Sequence, residues 1–191
     1  LAGSDVVKER VKSYYNLNAA VAYCPVDTFA FDAEESEGYY VMLTRIVPEK
    51  RVKLVIRAFN ELGLPLKIAG TPTGSSETYA QECRELADDT VEFLGWVEGA
   101  EKRELLANSK ALVFAAERED FGMPPVEAMA SGKPVVGVNE GYTQYQIREG
   151  KNGYLFEPTV QSLISTLKRM ENDQWDTETI RNHARKYDVR A

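Results

Sequence analysis

The sequence predicts an α/β fold, a doubly wound and mostly parallel Rossmann-like sheet, on three observations. Short apolar runs recur along residues 39–156, they alternate strictly with amphipathic stretches, and within most runs large or β-branched apolar residues stand side by side. A strand covered on both faces has no place for alternating polar residues, and strict strand–helix alternation implies right-handed βαβ crossovers.

The elements follow in chain order. Residues 1–37 read as the end of another domain plus a connecting linker. Ser4 is a plausible helix cap with Asp5 and Glu9 behind it, Val21-Ala22-Tyr23 reads as a strand, Pro25-Val26-Asp27 as a turn, and Glu34 to Gly38 as a solvated acidic loop. Because the chain opens on Leu1 inside a structured segment, it is expected to be a fragment or a single domain of a longer protein. Residues 38–174 form the predicted sheet domain, with strands at Tyr39–Leu43, Pro65–Ala69, Val91–Leu94, Ala111–Ala115, Pro134–Val138 and Gly153–Phe156. Between the first two, Val52, Val55, Ile56, Phe59 and Leu62 recur at helical spacing, with Lys53, Arg57 and Glu61 on the opposite side. Further helices are predicted over Glu77–Leu86, Glu101–Ala107, Pro124–Ala130 and Val160–Met170, and residues 175–191 are expected to close the chain with a helix from Thr177 to Tyr187.

Composition narrows the function. With 191 residues, of which 43% are hydrophobic, the chain can bury a core without disulfides or metals. A net charge of −7 argues against nucleic acid as a partner, though a few local cations still suffice to hold one small anion. Cys24 and Cys83 lack metal-type spacing and read as buried free thiols, which fits a reduced, cytoplasmic compartment. No apolar run reaches the roughly 20 residues of a membrane span. His183, the only histidine, falls on a polar stretch and reads as a surface residue, so no histidine triad or histidine metal site can be assembled. Asp88-Asp89-Thr90 reads as a turn and not as a metal site. The pairs Tyr14-Tyr15 and Tyr39-Tyr40 read as packing residues. No dinucleotide or P-loop glycine pattern is present.

In an open parallel sheet ligands bind beyond the carboxyl ends of the strands, so the loops there are read first. After the first strand, Thr44 to Arg51 places Arg45, Lys50 and Arg51 at the entrance of a helix. Cations oppose the macrodipole there unless an anion sits between them and the free amides; the plainer alternative is a solvated basic turn paired to Glu49. After the fourth strand, Glu117 to Ala130 carries Gly122, which permits close backbone approach, then Pro124 and Pro125 at a helix start. Glu119 lies in the loop and Glu127 about a turn into the helix. Ionised carboxylates are pure acceptors and suit sugar hydroxyls, although a capping acid and an exposed helix acid would read the same way.

The segments TRIVPEKRV, LKIAG, VEFLGWV, EDFGMPPVEAMASGKPVV and EGKNGYLF, in that order across Tyr40–Phe156, resemble the carboxyl-terminal domain of the family-four retaining glycosyltransferases, which have the two-domain GT-B fold. The resemblance implies that this chain is the carboxyl-terminal, donor-binding half of a GT-B enzyme, moving a sugar such as mannose from a nucleotide diphosphate sugar to an acceptor hydroxyl. It implies that Arg45 and Lys50 grip the diphosphate, and that Glu119 contacts hydroxyls of the transferred sugar. By the same likeness the Phe121-Gly122-Met123 backbone faces sugar and diphosphate, and Glu127 holds the ribose. Trp96, Val97 and Lys102 fall where the family lines its base pocket, and Gly70 near the same crevice. Neither a cofactor nor a metal is implied. The acceptor, a glycan or lipid-linked sugar, would be held by an amino-terminal domain this chain lacks, and the full-length protein would be cytoplasmic or peripheral at the inner membrane surface.

There are departures from the family pattern. Thr44 replaces a common glycine, and Tyr145 stands where an acid is expected after Gly141. Two other readings remain: a nucleotide-sugar-binding module without activity, and a GT-B-like sugar-nucleotide epimerase. The latter needs further acids and a histidine that His183 is badly placed to supply.

Overall fold

The computed structural model describes all 191 residues. Its centre is a parallel sheet of strands β1 (Tyr40–Leu43), β2 (Leu66–Ala69), β3 (Val91–Gly95), β4 (Ala111–Phe114), β5 (Val135–Val138) and β6 (Gly153–Phe156), in the order β3-β2-β1-β4-β5-β6. The helices are α1 (Asp5–Tyr15), α2 (Val52–Leu62), α3 (Glu77–Leu86), α4 (Gly99–Ala107), α5 (Met123–Ala130), α6 (Thr143–Gln146), α7 (Val160–Asn172) and α8 (Thr177–Ala184). The expected α/β class, strands and main helices are therefore present.

Strands β1, β4 and β5 are buried on both faces, whereas the edge strand β3 is only partly covered. Tyr40, Met42, Ala111, Val113, Val136 and Val138 point into one core, with Val52, Val55, Ile56 and Phe59 of α2 and Leu163 and Leu167 of α7. Val41, Leu43, Leu112, Phe114 and Val135 point into the other, with Val126 and Met129 of α5 and Ile180 and Ala184 of α8. Neighbouring residues of one strand thus enter opposite cores, which is why β1, β4 and β5 carry no charged side chain, while Lys67 of β2 and Glu92 of the edge strand β3 are charged. Helix α2 ends where Gly63 turns left-handed at φ 61° and its N–H caps the carbonyls of Phe59 and Asn60.

The amino-terminal segment departs from expectation. Ser4 caps α1 by accepting the Val7 N–H, as its sequence suggests. The expected strand Val21–Tyr23 shrinks to one bridge between Ala2 and Val21, because no further strand lies alongside and Tyr23 and Cys24 turn against the core instead. Tyr14 and Tyr15, expected to pack, are 79% and 72% exposed, since α1 buries none of its own residues. Helix α6 has four residues, too few to leave a periodic pattern in the sequence. His183, expected at the surface, is half-buried: its Nε2 is covered and unpartnered, and burial first, then Arg148 and Lys186, holds its pKa below the ordinary value. Cys83 is buried as expected, but Cys24 is only half-buried.

The two ends of the chain are tied together by Asp188, whose carboxylate accepts the Thr28 N–H at 2.9 Å, the Thr28 hydroxyl at 2.6 Å and the Arg190 Nε at 2.7 Å. The Arg190 hydrogen bond, then those from Thr28, hold the Asp188 pKa far below the usual carboxylate range. The unfolded chain then binds this proton more readily than the folded one. The contribution of Asp188 to stability is therefore complete above the unfolded value near ~4 and is lost as the pH falls further. Asp188→Asn is expected to lower the unfolding midpoint at pH 7 in a thermal melt, and the gap between variant and wild type is expected to narrow progressively as the pH falls below about 4. A gap that persists unchanged in acid contradicts this assignment.

Candidate functional site

Strands β1 and β4 lie side by side at the point where the winding of the sheet reverses, and the loops leaving them splay apart into a cavity of about 730 Å³. Gly70, at the end of β2, adopts φ 144°, and a Cβ on it would sit 1.7 Å from the Thr44 carbonyl oxygen. Only glycine lets the β2 end pass this close beneath the β1 loop. That loop then turns through a short helical segment, Pro48–Lys50, and Arg51 takes a left-handed φ of 52° to open α2.

Across the cavity, Gly122 at φ 77° starts α5. Pro124 and Pro125 follow in the first turn and have no N–H to offer, so the free donors of this helix end reduce to the Gly122 and Met123 amides, which donate to no protein acceptor. The helix end is therefore a small, directional anion-binding group rather than a broad one.

All the sequence-predicted site residues line this one cavity: Arg45, Lys50, Gly70, Trp96, Val97, Lys102, Glu119, Phe121, Gly122, Met123 and Glu127. The acids and bases are not independent. Lys50 donates to Glu119, their side chains being 17% and 25% exposed, and Lys102 donates to Glu127 at 2.6 Å, Glu127 being 11% exposed. Arg45 has no carboxylate partner and reaches the cavity exposed. Trp96 is 65% exposed and donates its indole N–H to Glu98 at 3.0 Å, which fixes an open aromatic face on the cavity wall.

Two acid–base pairs thus face one space, each poised to exchange its internal partner for a ligand. An anion entering this space would compete with Glu119 for Lys50 and free that carboxylate to accept hydrogen bonds. Partly buried pairs of this kind are held more firmly than surface pairs, yet they break without stranding a charge when a ligand supplies the new partner.

Residues that sequence reasoning missed hold the two loops in register. Arg51 donates to both oxygens of Glu140, at 3.1 and 2.9 Å, and to the Ala115 carbonyl at 3.3 Å. Glu140 also accepts the Arg118 N–H at 3.4 Å. The Glu119 carbonyl accepts the Tyr142 N–H at 2.8 Å, and a Cβ on Gly141 would lie 2.4 Å from that carbonyl oxygen. The β1, β4 and β5 loops are therefore one clamped unit around Glu119. Only the glycine at 141 gave a hint of this in the sequence; the Arg51–Glu140 pair joins positions too far apart to be seen there. Cys24, Glu98 and Asp120 complete the cavity wall and were not anticipated either. Tyr145 lies outside the cavity, on α6, and His183 does not line it.

A doubly wound domain with a glycine-shaped, cation-bearing crevice at its switch point defines a class of nucleotide- and phosphate-ligand-binding α/β proteins. Within that class, residues 26–187 match the family model of the glycosyl transferases group 1, and the chain belongs to that family. It is 27% identical over 161 residues to the alpha-1,3/1,6-mannosyltransferase ALG2 of Dictyostelium discoideum, covering 73% of this chain and 38% of that protein. It is 25% identical over 200 residues to the O-antigen chain mannosyltransferase RfbU of Salmonella typhimurium, covering 98% of this chain and 55% of the relative. The structure of Anabaena Alr3699/HepE in complex with UDP superposes with a TM-score of 0.87 at 22% identity, over 98% of this chain and 59% of that one. The chain thus spans less than two thirds of the relatives it matches, and its fold is that of a GT-B glycosyltransferase's carboxyl-terminal domain. No helix is long and apolar enough to cross a membrane.

Proposed function

We propose that this chain is the donor-binding domain of a retaining glycosyltransferase that takes a hexose, mannose foremost, from a nucleotide diphosphate sugar. The observation that carries the reading is the pair of carboxylate–ammonium contacts, Lys50–Glu119 and Lys102–Glu127, facing one cavity beside the free Arg45 and the bare amides of α5. The mannosyltransferase names of two relatives and the UDP held by HepE support the same choice of substrate class.

In this reading the diphosphate draws Lys50 away from Glu119 and takes a second cation from Arg45. The Gly122 and Met123 amides complete the shell. Charge that builds on the departing phosphate meets donors already in place, so little reorganisation is needed as the glycosidic bond breaks. Glu119, once released, accepts hydroxyls of the transferred sugar. Glu127 and Lys102 offer an acceptor and a donor to the ribose, and Trp96 with Val97 flanks the base. The crevice carboxylates Glu119 and Glu127 are assigned to the donor, and by the family likeness the leaving phosphate itself would take the proton of the acceptor hydroxyl. The rest of the acceptor-facing machinery is assigned to the part of the relatives that this chain does not span.

Glu119→Gln separates the roles. The amide still accepts a hydrogen bond but no longer pairs electrostatically with Lys50. In an active enzyme that contains this domain it is expected to lower sugar transfer by roughly tenfold or more while leaving free nucleoside diphosphate binding unchanged or slightly tighter. Steady-state kinetics beside equilibrium binding reads both. Equal losses in the two assays would show that Glu119 serves the diphosphate and not the sugar.

A further inference from the structure

Lys50 and Glu119 meet across the crevice, and each has an arginine beside it in the chain. Both arginines are left-handed, Arg51 at φ 52° and Arg118 at φ 45°. Apart from Asn16, which caps α1, no residue other than glycine has a positive φ. Glycine adopts that conformation freely, whereas a Cβ crowds the backbone, so each arginine has to be held there by its surroundings.

One carboxylate holds both. Glu140 accepts from the Arg51 guanidinium through its two oxygens, at 3.1 and 2.9 Å, and from the Arg118 N–H at 3.4 Å. The Arg51 and Glu140 side chains are only 18% and 24% exposed, and a forked contact of this kind fixes direction as well as distance. Neither residue lines the crevice, so neither is placed to touch a ligand there.

We propose that Glu140 is a positioning residue for the donor: by holding the backbone beside Lys50 and beside Glu119 in its two left-handed turns, it sets where that ammonium and that carboxylate meet. The proposal rests on the donor reading of the crevice. Other contacts keep the loops together without acting on these turns. The Glu117 N–H donates to the Glu49 carbonyl at 2.8 Å, and the Tyr142 N–H to the Glu119 carbonyl at 2.8 Å. Without Glu140 the loops therefore stay in contact, while Arg51 and Arg118 relax toward ordinary backbone and turn Lys50 and Glu119 out of line.

Charge alone predicts the opposite sign. Glu140→Gln removes an acid and frees a guanidinium behind an anion site, which by itself tightens diphosphate binding. Positioning predicts a loss. Arg51→Lys keeps the charge but not the fork, so a loss there is geometric.

Two measurements on the folded chain test this, with a thermal melt to confirm that each variant is folded. In calorimetric titration with UDP, GDP and ADP, Glu140→Gln and Arg51→Lys are both expected to bind the preferred nucleotide about three- to tenfold more weakly than wild type. Without any ligand, acetic anhydride labelling read by mass spectrometry follows the amines. Lys50 is expected to react more slowly than the exposed Lys8 in wild type, and roughly two- to fivefold faster in Glu140→Gln, the worth of a partly exposed ion pair. Lys102, paired with Glu127 on the far wall, is expected to keep its rate. If wild type binds none of the three nucleotides, the donor reading falls, and the labelling still decides whether Glu140 positions Lys50. Unchanged or tighter binding by Glu140→Gln overturns the proposal, as does an unaltered Lys50 rate or an equal rise at Lys50 and Lys102. Should Glu140→Gln not fold, wild-type affinity in Arg51→Lys overturns it.

Discussion

Replacing Gly70 with alanine is expected to produce one of the largest losses of any single methyl group added to this protein. The new Cβ would stand 1.7 Å from the Thr44 carbonyl oxygen and 2.7 Å from its carbon, both backbone atoms that cannot rotate away. A φ of 144° adds conformational strain for any side chain. Relief requires the β1 and β2 ends to separate, yet these ends are joined by the Thr44 N–H to the Ala69 carbonyl at 3.0 Å and by the Ile46 N–H to the Thr71 carbonyl at 3.0 Å. A cost of at least about 3 kcal/mol is expected, which for a domain of this size lowers the melting temperature by roughly 6–12 °C. Arg45 moves with the Thr44 loop, so nucleotide binding should fall as well. A Gly70→Ala protein that melts and binds like wild type would mean the two strand ends are not held as described.

The second large effect is expected at Lys50. Its ammonium is the only cation in direct contact with Glu119, and it stands beside the free amides that open α5. Lys50→Ala removes a charge-assisted contact to the diphosphate worth about 1.5–3 kcal/mol, equivalent to about a ten- to hundredfold loss of affinity. Part of that loss is offset because the Lys50–Glu119 contact no longer has to be broken on binding, but the freed carboxylate then repels the phosphates across the cavity. The double variant Lys50→Ala with Glu119→Gln should therefore bind better than Lys50→Ala alone. If the double variant is the weaker binder, the two residues do not act on the same ligand group.

The contrast between what was legible in the sequence and what was not has a physical basis. Strands such as Ala111–Phe114 were readable because burial on both faces leaves only apolar choices, and α2 because its apolar residues repeat at helical spacing. The crevice residues were legible through their family spacing, Glu119 and Glu127 above all, and through the rule that loops at the carboxyl ends of strands hold the ligand. The pairing of each acid with a lysine was not, since Lys50 and Glu119 are 69 positions apart and the contact exists only once β1 and β4 are neighbours. The Arg51–Glu140 clamp was hidden for the same reason. The strand expected at Val21–Tyr23 was misread because β-branched and aromatic residues also serve loops that lie on a core, where Tyr23 packs at 5.2 Å from Tyr187. Cys24 was expected in the interior, but it is half-buried and lines the crevice.

Calorimetric titration of the chain with UDP, GDP and ADP bears most directly on whether these distant acids and bases serve a single ligand. One of the three is expected to bind at one site per chain and to be displaced by the corresponding nucleotide sugar. Absence of binding by all three, or binding that survives the loss of Lys50 undiminished, would contradict the donor-crevice account.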